Sequence, residues 1–175
     1  MRQRVITLAV AAVVATVVAC NKDSDTITNT TTPTTSTKVN FRATMSGANE
    51  NPVNTSTGSG LFTATLDTLT NVFIYDIIFS GLTTPVNNGH IHGPAAAGVN
   101  AGTTVNFNTL AGANFSFGLQ NGGAHGQVTL TAATQITATV NGDSLRKLLF
   151  AGLTYANIHT TQNGGGEIRG QILRQ

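Results

Sequence analysis

From residue 39 onward, apolar and polar side chains alternate with a period of two, and no other pattern in the chain constrains its fold as tightly. Phe41, Ala43 and Met45 share one face against Asn40, Arg42 and Thr44, and Phe62, Ala64 and Leu66 repeat this against Thr63, Thr65 and Asp67. Phe115, Phe117 and Leu119 do so against Asn114, Ser116 and Gly118; Val128, Leu130 and Ala132 continue the pattern, as do Ile136, Ala138 and Val140 against Gln135, Thr137 and Thr139. Successive side chains of a strand point to opposite faces, so one apolar and one wet face predict antiparallel sheet. Residues 72–79 are apolar on both faces apart from Asp76 and read as a central strand. Gly, Asn and Pro punctuate the runs at short intervals, as in sandwiches and barrels. The expected fold is all-β, an antiparallel Greek-key β-sandwich or barrel spanning 39–175. One segment departs from period two: Leu145, Leu148 and Leu149 stand at i, i+3, i+4, with Asp143 or Ser144 placed as cap. That spacing predicts a short helix across one end of the sandwich, stopped near Gly152.

A faint repeat runs through the domain. Phe79-Ser80-Gly81-Leu82-Thr83 is echoed by Phe150-Ala151-Gly152-Leu153-Thr154. An Ile-His pair follows each copy, Ile91-His92 and Ile158-His159, and then a glycine-rich turn. Two related corners of one sandwich account for this without a second domain.

The start of the chain has another character. Arg2 and Arg4 precede an almost wholly apolar run, 5–18, of signal-peptide length and shorter than the ~20 residues that span a bilayer. Val17-Val18-Ala19-Cys20 then resembles the lipobox of bacterial lipoproteins, with Val17 where Leu is usual. The resemblance implies a signal peptide over 1–19, an acylated Cys20 as mature N-terminus, and a membrane partner reached through the lipid anchor. Asn21 is not the Asp that commonly retains such proteins at the inner membrane. Lys22-Asp23-Ser24-Asp25 looks like a charged export signal, which points to the outer membrane or cell surface. The rest of 20–38 is mostly threonine and carries neither helical nor strand periodicity, so it reads as a disordered spacer.

Charge removes one class of function. Nine Lys and Arg, less Arg2 and Arg4 of the leader, leave seven against seven Asp and Glu. A neutral mature chain has no basic stripe for nucleic acid, and the absence of Trp leaves little for base stacking. Cys20 is the lone cysteine, so no intrachain disulfide forms and the core alone must hold the domain.

Three stretches carry the chemistry: His90-Ile91-His92-Gly93-Pro94, Tyr155-Ala156-Asn157-Ile158-His159-Thr160 and Gly166-Glu167-Ile168-Arg169-Gly170-Gln171. Together with Ser46-Gly47-Ala48-Asn49-Glu50-Asn51-Pro52, in this order, they resemble the chordin-type (CHRD) domain family over about 41–173. The resemblance implies an extracellular β-rich module without a settled activity, and hence a non-enzymatic role in contacting a protein or matrix component. On strands, Ile91, Ile158, Ile168 and Ile172 turn one way while His90, His92, Asn157, His159, Glu167, Arg169 and Gln171 turn the other. Two readings follow. His-x-His on one strand plus His159 from a later one is a workable imidazole set for Zn or Cu. It is similar to part of the copper site of Cu/Zn superoxide dismutases, but 93–103 holds no His or Asp to build the bridging and zinc positions. Alternatively, Glu167 and Arg169 pair with each other, or Glu50 with Arg169, in a polar network with Asn157 that locks loops in place. His125, amid glycines, reads as part of a turn. No nucleophile sits in a Ser/His/Asp context, and no acidic pair or phosphate loop suggests catalysis.

Overall fold

The computed structural model describes residues 36–110 and 112–175. The expected signal peptide, Cys20 and most of the linker lie outside the described residues. Among the described residues no helix is long and apolar enough to cross a membrane.

The alternating runs form antiparallel strands. β1 (Lys38–Ser46), β2 (Ser59–Asp67) and β3 (Val72–Ser80) make a meander in which Phe41 opposes Ala64 and Ala64 opposes Tyr75. β7 (Gly122–Thr129) extends this wing beyond β3, and the two-residue β6 (Asn114–Phe115) ends it. The other wing begins where β9 (Ile168–Gln171) meets β1 at Ser46↔Arg169. β8 (Tyr155–Thr160), β4 (Val86–His92) and β5 (Thr103–Asn106) follow outward, and β10 (Leu173–Arg174) also pairs with β1. The result is one antiparallel sheet curled into a half-barrel. Backbone bonds from Val86 to Leu119 and from Gly118 to Val86 bring the two wings together around a common core. That core stacks Phe62 on Tyr75, with ring centres 6.1 Å apart, and brings Tyr75 to 5.2 Å from Phe107. Each such buried aromatic contributes about 1.5–3 kcal/mol over an exposed one.

The helix α1 (Gly142–Phe150) buries Leu145 and Leu149 as the spacing requires. Its cap lies earlier than the expected Asp143 or Ser144: the Asn141 side chain accepts from the Ser144 backbone N–H. The repeat has a backbone meaning. Gly81 and Gly152 adopt φ of +68° and +66°, a region that favours glycine, and each turn precedes one of the paired strands β4 and β8.

β3 is central as expected, between β2 and β7, and Ile78 is 64% exposed because the outer face of a single curled sheet has no second layer to cover it. Three expectations are corrected. The run 115–119 is a strand only to Phe115; a turn at Gly118, φ +72°, sends Phe117 and Leu119 outward. Residues 136–140 form a tight loop closed by the bridge Gln135↔Asn141, with Ile136 N–H and Thr137 N–H both donating to the Val140 carbonyl. His125 sits in β7 and pairs with Asp76 across the strands at 2.7 Å.

Candidate metal centre

Strands β4, β8 and β9 are immediate neighbours, so the polar side chains that oppose the buried isoleucines come together on one face. His90 lies opposite Asn157, and Asn157 opposite Arg169. Ile91, Ile158, Ile168 and Ile172 all reach full burial on the other face. One imidazole nitrogen from each of His90, His92 and His159 lies within 4.8 Å of the others. His90 Nδ1 and His159 Nε2 are 3.1 Å apart. Two nitrogens on a tetrahedral ion at 2.0–2.1 Å stand about 3.3 Å apart, so this pair is spaced for a shared ion and the third must draw inward.

Hydrogen bonds fix the ring orientation. His92 Nδ1 donates to the Ala101 carbonyl and His159 Nδ1 donates to the Gly164 carbonyl, each at 3.0 Å. A carbonyl only accepts, so in the neutral rings both protons sit on Nδ1 and both Nε2 atoms present lone pairs. His159 Nε2 takes the His90 proton. His92 Nε2 is buried and has no hydrogen-bond partner. Burial pushes His90 down to about 4, helped by the neighbouring charges of His159 and His92. Burial likewise brings His92 to about 4, against the raising effect of its bond to Ala101. His159 is lowered for the same first reason. Near pH 7 the face presents three neutral imidazoles, the form that binds metal.

Tyr155 and Arg169 brace the cluster. The Tyr155 ring stacks on His92 at 4.9 Å and 8° between planes, and its hydroxyl contacts both the N–H and the carbonyl of Ala101. The buried Arg169 guanidinium donates to Asn100 Oδ1 at 2.9 Å and the Val99 carbonyl at 2.6 Å. These bonds hold the segment whose Ala101 carbonyl orients His92. Asn157 Nδ2 donates to Glu50 Oε1 at 2.5 Å and to the Ile168 carbonyl. Burial raises Glu50 to about 7, only partly opposed by the Asn157 bond and the Arg169 charge.

Glu167 and Arg169 do not pair. Gly166, at φ +132°, turns the chain before β9, and the Glu167 carboxylate faces the other way. There it accepts from Ser56 Oγ, Thr83 N–H, Thr83 Oγ1 and Thr160 Oγ1, at 2.6–2.8 Å. Glu50 and Arg169 interact through space but not as an ion pair. Sequence reasoning missed Tyr155, Asn100, Ser56, Thr83 and the carbonyls of Ala101 and Gly164. Tyr155 stood within a quoted motif; the carbonyls have no side-chain signal to find.

Among known families, the model described as the CHRD domain matches residues 41–172 of the chain. No curated protein is matched.

Proposed function

The chain belongs to the CHRD domain family, and from that premise we propose that it is a lipid-anchored cell-envelope protein whose domain binds a transition-metal ion, Zn or Cu, through His90, His92 and His159. The observation that carries this reading is His92 Nε2: a buried lone pair without a partner, its ring fixed by a carbonyl at Nδ1. Leaving such an atom unpaired costs about 1–3 kcal/mol, which a bound ion would recover. Carbonyls on the far ring nitrogens of His92 and His159 are the arrangement that orients metal-binding imidazoles. The role is one of holding metal at the envelope, and the domain is non-enzymatic in this reading.

A second reading, contact with an extracellular protein or matrix component, draws on the exposed Ile74 and Ile78 of the outer sheet face. The two readings are compatible.

The test is elemental analysis of the full chain, purified in detergent, after Cu or Zn loading and desalting. Near-stoichiometric metal is expected, and loss of it in the combined His90→Ala, His92→Ala, His159→Ala variant. A wild-type protein that retains no metal overturns the reading. Acylation is tested separately: Cys20→Ala is expected to lose labelled fatty acid and leave the membrane fraction.

A further inference from the structure

We infer that an ion held by the three histidines keeps a fourth coordination position and that a small anion fills it. This rests on the metal-site reading above.

The donor set is the first observation. Among the described residues the cluster of potential metal ligands contains three members, and each imidazole supplies one nitrogen. Zn and similar ions take four ligands in a tetrahedral set, and a three-histidine set leaves one place open to an external ligand. Two polar side chains beside the cluster are committed elsewhere. The Tyr155 hydroxyl is held at Ala101, and the Asn157 amide group is held by Glu50 and the Ile168 carbonyl.

Access is the second. His159 is buried, but His90 and His92 each keep part of their surface exposed, so the cluster lies just beneath the surface and not deep in the core.

Charge selects the kind of ligand. Neutral imidazoles do not offset a divalent ion. The buried Arg169 guanidinium is close enough to His92 to disfavour a positive charge there. Among the described residues no carboxylate lies within 4.0 Å of that guanidinium. Glu50 and Arg169 are the charged groups facing each other beside the cluster, so a divalent ion adds to a site already positive or neutral. A negative ligand on the open position lowers that excess, and a neutral one does not.

Full-length protein loaded with Co(II) tests this, with azide as the probe anion and urea as a neutral control. Four-coordinate Co(II) on imidazoles absorbs visibly, and its bands respond to any change of ligand. Azide is expected to shift these bands along a saturable one-to-one isotherm, while urea leaves them in place. Arg169→Gln is expected to weaken the azide response several-fold if the variant still takes up Co(II). Visible Co(II) bands in the wild type that azide does not move overturn the open position. An equal response to azide and urea overturns the preference for an anion. A wild-type chain that takes up no Co(II) overturns the metal reading itself, and this inference with it.

Discussion

The Arg169 guanidinium carbon lies 3.4 Å from the centre of the Tyr155 ring. The contact joins β9 to β8, and Tyr155 passes it on by stacking against His92. A buried cation is costly unless hydrogen bonds and a π-face replace its water, and Arg169 has both. The planar, delocalised guanidinium suits this position, where an ammonium would have to be desolvated as a point charge. Arg169→Lys is therefore expected to lose about 3 kcal/mol of stability, as when one partner of a buried charge arrangement is removed. Urea unfolding at neutral pH measures it; a loss below about 1 kcal/mol would contradict the bracing role.

Glu167 is a depressed acid inside the fold. Burial raises its carboxyl, but hydrogen bonds from Ser56, Thr160 and Thr83 outweigh this and hold it below the usual range. Its stabilisation is thus fully present above the ordinary Glu value and lost as pH falls through the lower folded value. Glu167→Gln is expected to cost about 2–3 kcal/mol at pH 7, the scale of a bond to a charged acceptor, and less in acid. Denaturant unfolding at two pH values gives the comparison.

Glu50 has the opposite sign. With the folded carboxyl raised to about 7, the unfolded chain releases its proton first, so stability falls as pH rises from about 4.5 to 7 and then levels. Glu50→Gln keeps an acceptor for Asn157 and removes the charge. In metal-free protein it is expected to raise the melting temperature at pH 8 and change it little at pH 4. A variant less stable than wild type at pH 8 would show that the carboxylate is preferred there.

The ring protons of the histidines are open to direct observation. In metal-free protein at pH 7, long-range nitrogen–proton NMR is expected to find His92 and His159 neutral and protonated at Nδ1. His90 and His92 should stay neutral well below pH 6, as burial of their rings requires. Ordinary titration near 6.5 would mean that the cluster is open to water.

Gly170 lies where β9 crosses the Thr44 backbone, and an added Cβ would stand 2.5 Å from the Thr44 carbonyl oxygen. Backbone cannot move aside as a side chain can. Gly170→Ala is expected to cost about 1–3 kcal/mol, as overpacking does, read from thermal unfolding.

Much of this protein was legible in residue order because its physics is local. Period two set the faces of β1, β2 and β3, the i, i+3, i+4 leucines set α1, and the motif strands placed His90 with His92 and Asn157 with His159 on their strands. Local pattern misled where the chain closes on itself: 115–119 and 136–140 alternate in sequence, but long-range backbone bonds to Val86 turn the first into a loop, and short-range bonds to Val140 with the Gln135↔Asn141 bridge close the second. Only the tertiary structure decided that β4 lies beside β8, because strand pairing between residues some seventy positions apart leaves no periodic trace. It also decided that Glu167 faces Ser56, Thr83 and Thr160 while Arg169 faces Tyr155 and Asn100. The carbonyls of Ala101 and Gly164 set the histidine protons, and a carbonyl is common to every residue, so its role comes from position alone.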